Sequence, residues 1–482
     1  MDKTVSLLKD GLKKYWNYND FRYPQQEIME AILAGKDCLV VLPTGGGKSL
    51  CFQLPALLQT GLTIVISPLV ALMENQVQQL RQKNLPATLL HGEVSRSDRQ
   101  IRLRQLQQPN QPYRLLYLSP ETLLSPVLWS LLNQPQLKIN GFILDEAHCL
   151  TQWGDSFRPA YDRLGILRSS LSKQGKLIPF ACFTATANSK SQNTIVTALR
   201  LRSPQKFLIS PFRDNLAIDI KQVWTPKGKQ KQLLKFIAKR KNTSGLIYVR
   251  TRKDSIFIAQ LLTAQGYSTH SYHGGLSPVK RREVEADWLS EKVKFVVCTS
   301  AFGMGIDKSN LRWIFHYQTP LLLSEYIQEI GRGGRDGKLT EAIALVSETT
   351  GLFNPQDKQR RKYFQEQQLQ LYRSALRFLK TIPTQGNINE LFSNLNDDRN
   401  AHLYLAILHR SQQLRWLDTY TYQLTLNSPQ QAIDNLTQQY QKQIKQTEQY
   451  FKTKRCRWAF LLSAFNFPQS NNFACGKCDN CQ

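Results

Sequence analysis

The sequence predicts an α/β protein built from two doubly wound parallel-sheet lobes, followed by a mainly helical region that closes on a cysteine cluster. Three observations predict this. Short apolar runs alternate with amphipathic stretches over the first 340 residues, the pattern of parallel strands joined by helical crossovers. The runs fall into two series of similar size. After residue 350 the composition turns to Gln, Asn and Lys and helical spacing takes over.

In chain order, the first series of buried strands is 37–42, 62–67, 115–119, 141–144 and 179–184. The second is 245–249, 294–299, 312–316 and 342–346, with Pro211, Phe212 and Arg213 in the stretch between the two. Residues 386–426 read as a helical segment around 388–395, a helix over 401–410, the short run 414–418, and a strand in which Tyr420, Tyr422, Leu424 and Leu426 alternate. Helix, helix, hairpin is the order of a winged helix, a variant of the helix-turn-helix that docks on DNA; an ordinary α+β spacer would share it. From Ile433 to Phe465 apolar residues recur at helical spacings and lead into the cysteines. The expected domains are 1–206, 207–350, 351–429 and 430–482.

Composition sets limits. The 482 residues, 41% of them apolar, suffice for several cores and exclude a disordered chain. The net charge of +27 favours a polyanionic partner, nucleic acid or an anionic membrane surface, with general solubility as the alternative. Residues 351–482 hold 17 basic and 9 acidic side chains, so the excess is spread along the chain and fits a long binding surface better than a tether. The longest apolar stretch, 62–72, is interrupted by Ser67 and Pro68, too short for a membrane span. The first twenty residues show no apolar core of a secretory signal, so a cytosolic protein is expected, or a nuclear one if its source has a nucleus.

The motifs carry the chemistry. After the run ending at Leu42 comes Pro43-Thr44-Gly45-Gly46-Gly47-Lys48-Ser49, with a potential helix behind it. This is the strand, Gly-rich loop, helix context of a phosphate-binding loop, although Leu42 stands where the strict pattern has its first Gly. Gly45, Gly46 and Gly47 let backbone N–H groups close on phosphates, Lys48 neutralises their charge, and Ser49 can ligate Mg²⁺. The run 141–144 ends in Asp145-Glu146-Ala147-His148. A carboxylate at such a strand end can hold Mg²⁺ through water, and its neighbour can orient and deprotonate an attacking water. Alone, either motif could be a chance loop or a solvated corner; together they read as a nucleoside triphosphatase.

The residues Asp145-Glu146-Ala147-His148, Phe183-Thr184-Ala185-Thr186-Ala187 and 328–335 (QEIGRGGR) resemble a superfamily 2 helicase. The match narrows to the RecQ family through Phe21 to Gln25, Thr44 to Cys51, His148 to Pro159, 301–307 (AFGMGID) and the closing cysteines. The resemblance covers residues 10–350 densely and 450–482 again. It implies two RecA-like lobes and an ATP- and Mg²⁺-dependent DNA helicase moving 3′ to 5′ on single-stranded, tailed or branched DNA, in repair, recombination or replication. It also implies that Gln25 reads the adenine edge with Arg22 beside it and Tyr18 stacked on the ring. It sets Asp307 at the nucleotide, and makes Arg332 and Arg335, with Gln328, the charges offered to the γ-phosphate. Trp153, Phe157 and Arg158 would contact single-stranded DNA; an aromatic and a cation on a loop suit base stacking, and a buried Trp is the alternative. Ser67, Ser119 and Thr299, at strand ends, could grip phosphates.

Nine cysteines divide into two groups. Cys38, Cys51, Cys149, Cys182 and Cys298 are expected as reduced core residues in strands or loops. Cys456 with Cys475, Cys478 and Cys481 supplies the four thiolates of a structural Zn²⁺ site, although an iron–sulfur cluster shares the C-x₂-C-x₂-C run. The resemblance favours zinc, in a module that would present Lys454, Arg455 and Arg457 to duplex DNA. The familiar order places the zinc module soon after the second lobe, whereas about 118 residues separate Gly337 from Cys456 here. An RNA helicase and an ATP-regulated DNA-binding or annealing protein are the competing readings. A monomer is expected; protein partners are not legible.

Overall fold

A computed structural model describes residues 3–108, 110–151, 159–172, 178–303, 308–348, 351–394, 400–467, 469–470 and 472–482. The chain forms two compact units, each assembled from two stretches. One contains Met1–Ile209 and Leu371–Leu436, the other Ser210–Gln370 and Thr437–Gln482.

The first unit holds β1 (Cys38–Val41), β2 (Leu62–Ile66), β3 (Ala87–Leu90), β4 (Leu115–Leu118), β5 (Ile139–Leu144), β6 (Phe180–Thr184) and β7 (Gln205–Leu208). They pair in parallel in the order β3-β4-β2-β5-β6-β1-β7. β1, β2, β4 and β6 are buried along their whole length, which is why they read as apolar runs. Alternate residues feed two cores, one with Leu39, Ile64 and Phe142, the other with Val40, Val65 and Ile143. The sequence reading missed β3, a four-residue edge strand, and β7, whose Gln205 and Lys206 are exposed at the other edge.

The second unit holds β8 (Leu216–Val223), β9 (Gly245–Tyr248), β10 (Thr269–Tyr272), β11 (Phe295–Cys298), β12 (Trp313–His316) and β13 (Thr340–Ser347). They form a parallel sheet in the order β10-β11-β9-β12-β13-β8. Here too the missed strands, β8 and β10, are the edges, where polar residues break the apolar run. The cysteine-bearing tail packs on β8. Trp458 Nε1 donates to the Leu216 carbonyl at 3.3 Å, and Asp479 N to the Ile218 carbonyl at 3.0 Å. Leu216 and Ile218 share a core with Tyr326, Tyr450, Trp458 and Leu461.

The stretch 385–424 folds as β14 (Gln385–Asn387), the helices Ile388–Asn394 and Ala401–Arg410, then β15 (Leu414–Trp416) and β16 (Thr421–Leu424), an antiparallel sheet in the order β14-β16-β15. This is the winged-helix order with one strand, β14, that sequence reading did not see. The helix Ala401–Arg410 lies against the first lobe, where Arg410 pairs with Asp162. The helices Gln356–Leu379 and Pro429–Lys452, 24 residues each, flank this module, and the boundary between units falls inside both. None of the nine cysteines forms a disulfide; Cys51 lies in a helix and Cys149 in a 3₁₀ turn rather than in strands or loops. No helix among the described residues is long and apolar enough to cross a membrane.

Candidate nucleotide site and cysteine cluster

The loop between β1 and the helix Lys48–Leu58 is shaped by glycine. Gly45 and Gly47 adopt φ values of 84° and 74°, and Gly47 caps the helix. A Cβ on Gly47 would fall 2.3 Å from Gln25 Nε2. The reason is that Gln25, nearly fully buried, ties two segments together. Its Oε1 accepts from Arg22 N at 3.0 Å, and its Nε2 donates to the Gly46 carbonyl at 3.2 Å. Arg22, Gln25 and the phosphate loop therefore share one site, whereas Tyr18 stands 56% exposed. Lys48 Nζ donates to the Leu42 carbonyl at 3.2 Å, across the mouth of the loop.

β6 lies between β1 and β5 in the sheet, so the carboxyl ends of all three converge. Asp145 N donates to the Ile66 carbonyl at 2.9 Å, which fixes the strand end. Burial and the neighbouring Glu146 charge push the Asp145 carboxyl up to about 7, against the pull of Lys48, whose charge reaches it. Glu146 turns into the left-handed region at φ 53°, and its Oε2 lies 3.1 Å from His148 Nδ1. Thr184 Oγ1, at the end of β6, lies 3.3 Å from the same nitrogen. Tyr161, which sequence reading did not single out, donates its hydroxyl to the Asp145 carbonyl at 3.1 Å. Ser67 is buried at the end of β2, and the Ser119 Oγ caps its own helix by accepting from Thr122 N.

In the second unit Gln328 lies on the helix Leu323–Ile330, and Arg332 and Arg335 follow it. The Gly-rich turn carrying both arginines is held by residues the sequence reading left without a role. Arg213 donates to the carbonyls of Gly331 and Gly334, and Asn215 Nδ2 to that of Gly334 at 2.7 Å. Arg332 Nη1 donates to the Gly303 carbonyl. Beneath the turn, Arg250 grips Glu329 bidentately at 3.0 and 2.7 Å, and His316 Nε2 lies 2.8 Å from the same carboxylate. Burial opposes the Glu329 charge, but Arg250 and His316 outweigh it and hold the carboxyl down at about 2. The only sequence signal for this triad was Glu329 inside the arginine motif. Asp307, Trp153, Phe157 and Arg158 lie outside the described residues.

Cys456, Cys475, Cys478 and Cys481 bring their Sγ atoms within 4.8 Å of one another. Cys475 Sγ and Cys481 Sγ are 3.9 Å apart, and a tetrahedron with Zn–S bonds of about 2.3 Å has edges of about 3.8 Å. Backbone N–H groups of Cys475 and Arg457 donate to the sulfurs of Cys456 and Cys478. These donors favour thiolates, so the donor set fits zinc. Lys454 and Arg455 are exposed, but Arg457 is buried against Asp479 at 2.9 and 2.8 Å, which corrects the expectation that it is presented to DNA.

Comparisons with known proteins extend this picture. Residues 22–195 match a DEAD/DEAH box helicase family model, residues 228–337 a helicase conserved C-terminal domain, and residues 417–482 a RecQ zinc-binding domain. The ATP-dependent DNA helicase RecQ of Synechocystis is 50% identical over 476 residues, 98% of each chain. The enzyme of the same name from Pasteurella multocida is 38% identical over 334 residues, 69% of this chain and 51% of that one. Among solved structures, the DEAD-box helicase Mss116 bound to single-stranded RNA and UDP-BeF aligns with a TM-score of 0.60 at 19% identity, covering 72% of this chain and 73% of that one. The helicase MrfA bound to DNA also gives 0.60, at 17% identity, covering 90% and 64%. These two likenesses show the shared fold of two RecA-like lobes. With the phosphate loop, the Asp-Glu strand end, the arginine turn and the four-cysteine cluster in one chain, and a near full-length relative at half identity, the chain belongs to the RecQ family of helicases.

Proposed function

We propose that the protein is an ATP- and Mg²⁺-dependent DNA helicase that moves 3′ to 5′ on single-stranded DNA and opens tailed or branched duplexes, in repair, recombination or replication. The observation that carries it is the convergence at one sheet edge of the Gly45–Gly47 loop, Lys48, the Asp145-Glu146 pair and the Gln25 amide. Gln25 offers one donor and one acceptor, which suits an adenine edge. Ser49 and Asp145 would hold Mg²⁺, and the ion supplies charge to the phosphates when bound. Glu146, steered by His148, would orient and deprotonate the attacking water. Arg332 and Arg335 would meet the charge that develops on the γ-phosphate, and the hydrogen bonds from Arg213 to the carbonyls of their turn support that role. The DNA substrate follows from family membership and from the net charge of +27.

The deciding experiment is strand separation of matched 3′-tailed and 5′-tailed DNA duplexes, with a tailed RNA duplex alongside. ATP-dependent opening of the 3′-tailed DNA alone is expected, lost in Lys48→Ala while single-strand binding persists. ATP hydrolysis on single-stranded DNA with neither duplex opened would instead support the annealing reading.

A further inference from the structure

The second helix of a helix-turn-helix module ordinarily lies in the major groove with its polar side chains on base edges. The helix Ala401–Arg410 is made differently. Ala401, Leu405, Ala406, Ile407 and Leu408 are buried, and its single guanidinium, Arg410, points at the first lobe. Arg410 Nε lies 3.0 Å from both carboxylate oxygens of Asp162, and its Nη2 donates to the Cys149 carbonyl at 3.1 Å. Both partners are buried. From the other side Arg163 donates to the Thr419 carbonyl and lies 5.1 Å over the Trp416 ring. Ile166 of the first lobe joins the core made by Leu379, Ile388, Leu405 and Tyr422.

Arg410 thereby staples two 3₁₀ turns, Ala147–Leu150 and Pro159–Arg163. Each turn reaches the carboxylate pair in one further bond. Cys149 N donates to the Glu146 carbonyl at 3.0 Å, and Tyr161 donates its hydroxyl to the Asp145 carbonyl. We infer that the module 385–424 is a brace on the ATPase centre rather than a DNA reader, and that Arg410 is a positioning residue for Asp145 and Glu146.

The brace rests on the ATPase reading of those two carboxylates, and displacement of a catalytic group by about 1 Å can cost about a hundred-fold in rate. The test compares the full-length wild type with Arg410→Ala, Arg410→Lys and Asp162→Asn, measuring kcat and KM for ATP on saturating single-stranded DNA, together with 3′-tailed DNA affinity. For Arg410→Ala we expect kcat to fall about ten- to a hundred-fold, with KM and DNA affinity within about two-fold. Arg410→Lys should recover part of the loss, because one ammonium can satisfy the carboxylate or the carbonyl but not both in the guanidinium's geometry. Asp162→Asn keeps the shape of its site and should lower kcat in the same sense, so it decides the matter if Arg410→Ala does not fold. An unchanged kcat in the folded variants, or a loss of DNA affinity with kcat intact, overturns the brace and returns the module to DNA reading. A wild-type chain that hydrolyses no ATP on DNA overturns the ATPase reading and the brace with it.

Discussion

At the scale of single residues, the phosphate loop depends on one position more than its motif discloses. Gly47 needs its positive φ, and it needs the absence of a Cβ because the Gln25 amide occupies that space. Gly47→Ala adds both a strained backbone, about 1 kcal/mol or more, and a collision with the amide proposed to read adenine. We expect ATP affinity to fall about ten-fold or more while the thermal midpoint moves by no more than about 3 °C, because the loop lies outside the two cores. Titration with a fluorescent ATP analogue beside a thermal melt checks both halves. The motif residues were legible because backbone chemistry at a phosphate dictates Gly, Lys and Ser at fixed spacing. Tyr161 was not, because its contribution is one hydroxyl on the Asp145 carbonyl, and nothing local in the sequence demands it.

Among the elements, the helix Leu323–Ile330 shows how an arginine turn is held from below. Glu329 is buried against the Arg250 guanidinium and the His316 imidazole, the latter pushed below its ordinary range by burial. Because the folded Glu329 carboxyl sits at about 2, below its ordinary 4.5, its stabilisation is present above about pH 4.5 and is lost as the pH falls toward 2. Glu329→Gln leaves Arg250 buried with half a partner and should cost about 3 kcal/mol at pH 7. The gap between wild type and variant should close as the pH drops through that window, read from denaturant midpoints; a gap that stays constant down to pH 2.5 would contradict the assignment. The zinc module is a second such element. Trp458 and Asp479 bond the backbone of β8, an edge strand of the second sheet. Cys478→Ser is expected to release one equivalent of zinc, measured with a chromogenic chelator, and to expose β8 amides to hydrogen exchange at least about ten-fold faster. The edge strands β7 and β8 were illegible in sequence because many of their residues face away from the core, whereas central strands announced themselves.

For the whole molecule, serial reading of the chain meets its physical limit at pairings between distant residues. Arg410 and Asp162 lie 248 positions apart, and their ion pair joins an inserted module to a lobe through side chains that no local pattern links. The helix, helix, hairpin order was readable from apolar spacing; which face of it is spent on the first lobe was not, because burial of an amphipathic face does not name its partner. What does survive at this scale without any pairing is charge. An excess of 27 positive charges spread along the chain suits phosphate contacts in the proposed binding of DNA, and such contacts release counterions. If the strand engages about five phosphates, the slope of log affinity against log salt is about −3.5, so raising salt from about 50 to about 200 mM should weaken single-strand binding about a hundred-fold. Because the module 385–424 is read here as a brace and not as a contributor to that surface, Arg410→Ala should leave the slope unchanged, whereas a DNA-reading module would lower its magnitude. Fluorescence anisotropy of a labelled oligonucleotide across that salt range, wild type against variant, measures both the surface and the module's share in it.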